Sequence, residues 1–395
     1  MTGKDLTRLY LILIPFTGTS HTATIREKQT KQRRWIYLIT TTIKWTHPIL
    51  LPLFNRFSTI TTTSKPFTTD LTLINRAIFS FLIFLFLSNA FAGQLTESEE
   101  KSRDKGVILY QQGAWTSSQP FLRVAAEAGD RKSQYFLGEA IRLSNRYMTK
   151  EARNWYVAAA DQGDLYAMLR LSSKSDLCNA MDDCATKTSE EWRARALKIA
   201  RERAAEGNTE AMVVMFTANQ GLDWLEKAAE SKDSFAQQLL ASAYQRGQGW
   251  FIVPGSREKA IEKWFKASAE AGFPPGMYLY ANYLYEHNGD MSEIGYWLRK
   301  TAEAGHIDAL VSYALNIAHI PDTYGFPLDL VKAYGFTYLV SELMGGGASP
   351  REARINLPQI AEKINAEEIK QGIAFSKEWE NNHPPLSYYA PIYGY

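Results

Sequence analysis

Glu258-Lys259-Ala260-Ile261-Glu262-Lys263-Trp264-Phe265-Lys266-Ala267-Ser268-Ala269-Glu270-Ala271-Gly272 decides the fold of this chain. Its composition and period are those of an amphipathic helix, and the closing Gly suits a left-handed cap where a Cβ would be penalised. The ending recurs. Ala125-Ala126-Glu127-Ala128-Gly129, Ala159-Ala160-Asp161-Gln162-Gly163 and Thr301-Ala302-Glu303-Ala304-Gly305 are close copies. Ala204-Ala205-Glu206-Gly207 and Ala228-Ala229-Glu230-Ser231-Lys232 are degenerate ones, and a weak copy closes at Gly345. Eight residues before the closing position stands a large apolar residue: Trp155, Trp224, Trp264 or Trp297 in four copies, Phe121 and Ile199 in two others. Phe336 sits one residue out of phase before Gly345. Two markers that keep phase about every 36 residues define an internal repeat.

A second type of helix follows each cap. Ala236-Gln237-Gln238-Leu239-Leu240-Ala241-Ser242-Ala243-Tyr244-Gln245-Arg246-Gly247 shows it best. Ala236 and Ala241 allow a neighbouring helix to approach, and Leu240 and Tyr244, one turn apart, face the core. Residues 133–144 and 276–287 repeat this spacing. One such hairpin is too small to bury its own apolar face, so stacking must build a continuous core. The expected fold is all-α, an α/α superhelix (solenoid) of stacked helical hairpins. The recurring Trp residues are read as packing, with Trp264→Ala expected to cost about 3–5 kcal/mol. Two irregularities stand out: the interval 207–232 is short for two full helices, and the loop 172–188 is long.

Small-x-x-x-Leu-Gly-x-x-Tyr-x-x-Gly, a loop, then Lys-Ala-x-x-Trp-Tyr-x-x-Ala-Ala-Glu-x-Gly resembles the pattern of Sel-one-like repeats (SLRs), relatives of tetratricopeptide repeats. The resemblance covers roughly residues 113–379. Leu330-Val331-Lys332-Ala333-Tyr334-Gly335-Phe336 resembles the last repeat of such proteins. Asn365-Ala366-Glu367-Glu368-Ile369-Lys370 with Ala374-Phe375-Ser376-Lys377-Glu378-Trp379 resembles their C-terminal capping helix. The third copy departs by lacking a Leu-Gly pair. The resemblance implies a TPR-like superhelix with a concave face. It gives residues 93–345 as a solenoid of six to seven repeats, 346–380 as capping helices and 381–395 as a Pro/Tyr-rich tail.

The net charge of +2 hides an asymmetry, because residues 1–92 are basic and the remainder is mildly acidic. An acidic remainder offers no electrostatic footprint for nucleic acid. Arg76 precedes the short apolar run 77–87, and Ser88-Asn89-Ala90-Phe91-Ala92-Gly93 follows it. A basic residue, a short apolar core and an Ala-x-Ala site read as a secretory signal peptide over 71–92, cleaved between Ala92 and Gly93. An uncleaved signal anchor is the alternative, the only membrane association then expected. No Cys follows the run to carry a lipid. Because the segment begins so far into the chain, residues 1–70 are read as an over-called extension, with translation starting near Leu71, Leu73 or Ile74. A membrane-associated leader is the alternative, since 36–54 is fairly apolar, although Lys44, His47 and two prolines interrupt it. Tryptic peptides from residues 1–70 in the native host would decide between them.

The two cysteines, Cys178 and Cys184, share the long loop. In an oxidising compartment a local disulfide is the natural reading, with free thiols or a two-Cys metal site beside Asp176, Asp182 and Asp183 as alternatives. His287, His306, His319 and His383 form no metal-ligand motif, and no nucleophile elbow or phosphate-binding Gly loop is present. No enzyme activity, cofactor or metal is expected.

The binding surface follows from helical geometry. The second, sixth and ninth residues after the first small residue of each leading helix share a face away from the Leu and Tyr packing positions. These are Tyr135, Glu139 and Arg142; Gln238, Ser242 and Gln245; and Tyr278, Asn282 and Tyr285. In tetratricopeptide relatives the corresponding positions line the concave groove, which implies a protein or peptide partner here. The alternative is an ordinary solvated groove. Trp250-Phe251-Ile252-Val253-Pro254 is an apolar loop, either exposed contact surface or folded onto the next repeat. The Pro/Tyr tail cannot be helical, and could cover the solenoid's end, occupy its own groove, or bind a partner in extended form. The expectation is a periplasmic or secreted protein-binding scaffold or adaptor. Resemblance to exported SLR proteins that neutralise antibacterial effectors gives an immunity protein as the alternative. Cysteine-rich SLR proteins linked to β-lactams give an enzyme as the rival class, although this chain has only one Cys pair.

Overall fold

The computed structural model describes residues 95–173 and 188–393, all within one unit spanning Asn75–Tyr395. The signal segment with Ala90, Ala92 and Gly93, the extension 1–70, and Cys178 and Cys184 lie outside the described residues.

Sixteen helices make up the described part: α1 (Glu97–Gln111), α2 (Trp115–Glu127), α3 (Arg131–Asn145), α4 (Lys150–Asp161), α5 (Leu165–Leu171), α6 (Ser189–Ala205), α7 (Thr209–Thr217) and α8 (Asp223–Glu230), then α9 (Ser234–Gln245), α10 (Ser256–Glu270), α11 (Pro274–Glu286), α12 (Met291–Glu303), α13 (Ile307–Ile317), α14 (Leu330–Ser341), α15 (Ala348–Ala361) and α16 (Ala366–Asn382). Each helix from α1 to α15 packs on its neighbours in sequence, so α1 to α14 pair into seven successive hairpins. Contacts also run between α1 and α3, α5 and α7, α9 and α11, and α13 and α15, which places the odd-numbered helices together as the inner wall. The fold is an all-α superhelix of stacked hairpins, as the repeat implied. The short interval 207–232 is filled by two short helices, α7 and α8.

The closing glycines behave as caps. Gly129, Gly163, Gly207, Gly272 and Gly305 all have φ between 79° and 97°, and Lys232 takes the same left-handed conformation at φ 64° in the copy without Gly. Gly345 differs. It is absent from the left-handed set, and a Cβ built on it would run into the Gln112 carbonyl oxygen. The weak copy is therefore a steric glycine, which lets the turn after α14 meet the turn between α1 and α2.

The phased tryptophans also need correction. Trp155, Trp224, Trp264 and Trp297 are only half-buried, whereas the residue after each (Tyr156, Leu225, Phe265 and Leu298) is buried in the core. The Trp ring lies over the core and the next side chain fills it, so the large truncation cost belongs to Phe265 rather than Trp264. The core falls into two clusters, one from Tyr110 to Ile294 and one from Leu298 to Leu386, with Tyr324 packed against both. Buried Ala152, Ala159, Ala196, Ala229 and Ala302 let helices approach, and Tyr110, Leu122, Tyr156 and Trp192 fill the space between them. At the C-terminal end α15 and α16 both pack on α14. Gly372 lies on α16 so close to Gly335 of α14 that a Cβ at Gly335 would stand 2.6 Å from the Gly372 carbonyl oxygen. Asn365 begins α16 with a capping box to Glu368.

Candidate functional site

The chain does not stop at α16. His383 stacks on Trp379, with ring centroids 4.2 Å apart, and Pro384 and Pro385 then end the helix. Residues 386–393 turn back and run along the inner wall as a non-helical segment, with Tyr389 in the left-handed conformation (φ 50°) and bends at Ile392 and Tyr393. The Ser387 amide donates to the Gly305 carbonyl (2.9 Å), and the Ile307 amide donates to the Ser387 carbonyl (3.1 Å), a parallel bridge at the head of α13. The Tyr388 amide then donates to the Gln111 carbonyl (3.0 Å). The Ala390 amide donates to Gln111 Oε1 (2.8 Å), and the Tyr135 hydroxyl donates to the Ile392 carbonyl (2.5 Å). The tail thus straps the first hairpin to the seventh. Of the three placements open to the tail, it takes its own groove.

The local sequence explains why α13 receives it. Four leading helices begin at a Gly-Asp or equivalent junction whose acidic or amide side chain caps the helix. Asp130 accepts from the Ser133 amide (2.7 Å) and Asp164 from that of Ala167 (2.9 Å). Asn208 accepts from the Ala211 amide (2.7 Å) and Asp233 from that of Ala236 (2.8 Å). The last two junctions break the pattern. Phe273 and His306 stand at the cap position and supply no side-chain bond. At α11 the first position is Pro274, which has no amide hydrogen to satisfy. At α13 the free Ile307 amide is taken by the tail.

His306 is the centre of that seat. Its ring stacks between Tyr278 (centroids 4.8 Å apart) and Tyr389 of the tail (6.0 Å). The Tyr389 hydroxyl donates to the Ala304 carbonyl (2.5 Å). Burial pushes the imidazole down to about 4, against the pull of the neighbouring Asp308 carboxylate. Asp308 in turn accepts a hydrogen bond from the Ser349 hydroxyl (2.5 Å).

The other end of the tail rests on charge. Glu139 is fully buried (0 % exposed), and its carboxylate accepts from Arg170 Nε (2.5 Å) and Nη2 (3.0 Å), Arg142 Nη2 (2.8 Å) and the Tyr156 hydroxyl (2.8 Å). Burial works against the charge on Arg170, but Glu139 with Tyr135 and Tyr156 holds its pKa above the ordinary arginine value. The outer face of the Arg170 guanidinium lies 4.2 Å from the ring centre of Tyr393, which also stacks on Tyr166. Two cavities flank the tail. One of about 480 Å³ has Phe216, Phe235, Phe273, Tyr278 and Tyr389 among its walls, and one of about 540 Å³ is bordered by Gln111, Lys132, Phe136, Asp233 and Ala390.

The nine residues expected on the groove fall into three situations. Tyr135 is buried under the tail, and Glu139 and Arg142 lie in the charged cluster beneath it, so Glu139 acts through Arg170 and not as a surface contact. Gln238 borders the 480 Å³ cavity and bonds Ser242 (3.1 Å), while Gln245 is exposed at the end of its helix. Tyr278 sits under His306 and hydrogen-bonds Asn282; Tyr285 is exposed and meets Tyr324 edge-on. Sequence reasoning missed Gln111, Tyr166, Arg170 and His306. The one signal for His306 was the change of Gly-Asp to Gly-His at position 306. The apolar loop is exposed at Trp250 (87 %), Ile252 (82 %) and Val253 (67 %), while Phe251 folds onto Tyr244. Among the described residues no group of His, Cys, Asp and Glu could hold a metal ion, and no helix is long and apolar enough to cross a membrane.

No family model matches the chain, and comparison with curated protein sequences gives no match. Solved structures similar to it include two helical-repeat proteins. One, described as a protective antigen of uropathogenic Escherichia coli strains displaying an SLR fold, is 19% identical, with 73% of this chain covered and a TM-score of 0.40. This chain spans 62% of that protein's length. The other, a Sel1 repeat protein from Oxalobacter formigenes, is 18% identical over 76% of this chain and 91% of its own, with a TM-score of 0.38. Both carry the repeat that the Trp and Gly markers of this sequence resemble.

Proposed function

We propose that this chain is a non-enzymatic, exported scaffold that binds a partner protein through an extended segment laid along its inner wall. One observation carries the reading: the inner wall already holds a non-helical polypeptide segment, by backbone hydrogen bonds at Gly305, Ile307 and Gln111 and by aromatic seats at His306 and Tyr166. Extended segments are held in this way, with main-chain bonds for affinity and side-chain seats for selectivity. The signal-peptide pattern before Gly93 supports a periplasmic or secreted location.

The test is capture from periplasmic extract with the tagged full chain, together with N-terminal sequencing of the native protein. A stoichiometric partner, with a native chain beginning at Gly93, is expected. Substituting Tyr135 and Tyr278 by Ala should weaken capture at least tenfold. Capture unaffected by both substitutions would move the partner off the inner wall. A second reading, neutralisation of a secreted effector, is favoured by the projecting Trp250–Ile252–Val253 loop, an apolar wedge suited to plugging a cleft. Protection of target cells that is lost on Trp250→Ser would support it.

A further inference from the structure

We infer that the C-terminal tail is a resident copy of the partner's recognition segment, so that the inner wall selects non-helical chains carrying two aromatic residues around a proline, in the pattern Tyr-x-Pro-x-Tyr. The inference rests on the reading of the inner wall as a binding surface and names the chemistry that surface selects. Tyr389-Ala390-Pro391-Ile392-Tyr393 is the segment in place. Its two tyrosines occupy distinct seats. Tyr389 stacks on His306 and reaches the Ala304 carbonyl, and Tyr393 stacks on Tyr166 below the Arg170 guanidinium. Pro391 between them supplies no amide hydrogen, and no bond to the wall is required of it. The backbone on either side is read by Gln111 and Tyr135, which bond Ala390 and Ile392. Apart from the proline, these contacts use main-chain atoms and two phenol rings, and any chain with the same spacing presents them.

The arrangement also permits exchange. No residue of the seated segment Tyr389–Tyr393 is fully buried. Pro391 and Ile392 remain exposed while it is seated. The cavity of about 540 Å³ beside Ala390, and that of about 480 Å³ beside Tyr389 and Pro391, leave apolar surface that the tail does not cover. A partner with bulkier side chains would bury more there than the tail does. While tethered, the tail competes at an effective concentration in the millimolar range, which closes the groove to weak ligands.

The experiment uses a labelled peptide of the sequence from Pro384 to Tyr395 and the full chain, unchanged or carrying Tyr389→Ala with Tyr393→Ala. Fluorescence anisotropy should show saturable binding to the double variant and at least tenfold weaker binding to the unchanged chain. A peptide with both of those tyrosines replaced by Ala should bind neither. Equal binding to both chains would place the peptide site elsewhere. No binding to a double variant whose helical circular dichroism is intact would end the proposal. If the double variant loses its helical signal, Tyr393→Ala alone leaves Tyr389 seated and should give an intermediate gain; no gain would likewise overturn it. A partner captured from extract that the peptide does not compete away would leave the scaffold reading standing and remove this one.

Discussion

The two ends of the tail are seated on opposite chemistry. Near α3 and α5, Tyr393 and Ile392 rest above a buried ion cluster, with Glu139 satisfied by two arginines and a tyrosine. Near α13, Ser387 and Tyr389 rest on a neutral histidine at a helix start that has no side-chain cap. The first seat belongs to repeats complete in themselves, because Asp130 and Asp164 already cap their helices. The second belongs to a repeat left incomplete until the tail arrives. A repeat array can therefore mark where a distant segment docks by omitting a side-chain cap that most of its other copies make, at a helix start where, unlike Pro274 of α11, an amide hydrogen is left to bond.

Four substitutions or conditions would sharpen or break that contrast. Glu139→Ala should have the largest effect, because it leaves Arg142 and Arg170 mostly buried without their counter-charge. Urea denaturation should show a loss of about 3–5 kcal/mol. A loss below about 1 kcal/mol would mean that the cluster does not hold the first seat.

The second seat should respond to acid instead. His306 has a folded pKa of about 4 against an ordinary value of 6.5, so above pH 6.5 the folded and unfolded chains both hold it neutral. As pH falls from about 6.5 to about 4, the unfolded chain takes up a proton that the folded chain does not, and stability should fall by about 3 kcal/mol across that window. Below about 4 this contribution levels off. His306→Phe keeps a ring between Tyr278 and Tyr389 and should flatten this part of the melting-temperature profile; an unchanged slope would assign the dependence elsewhere.

Asp164→Ala removes a local cap and should cost about 1 kcal/mol by thermal melting. Replacing His306 removes no cap, since the bond there is made by the tail's backbone, and a cap-sized loss at His306→Phe would contradict the contrast. Tyr135→Phe should have the smallest effect, about 0.5–1 kcal/mol for one hydrogen bond to the Ile392 carbonyl. It should show as faster proteolysis of the tail with little change in the melting of the helices. A whole-chain destabilisation would mean that Tyr135 supports the core more than the tail.

Much of the fold was legible because its causes are local. The closing glycines, the phased aromatic position and the Ala positions all act within one or two helical turns, so the period alone gave the stacked hairpins. The same reasoning stumbled where two causes share one residue type. Gly345 reads as another cap, but it is a Gly because the Gln112 carbonyl oxygen occupies the space of a Cβ. Trp264 reads as the core residue because it is large and in phase, yet its neighbour Phe265 faces inward. Of the candidate site, Tyr135 and Tyr278 were found by face geometry, while Gln111, Arg170 and His306 were not. Nothing in their own segments shows that the tail passes over them.

The sequence by itself determined the helices, their caps, their pairing and the wall they build, since each depends on residues a few positions apart. It also showed that residues 384–395 cannot be a helix. Only the tertiary structure decided where that tail goes. The bonds from Ala390 and Tyr388 reach Gln111 across nearly the whole described chain, 279 residues for the Ala390 bond. Contacts of that span depend on how seven small hairpin rotations add up. That sum brings Gly345 against Gln112 and gives the tail two seats at once, and no periodicity in the sequence contains it.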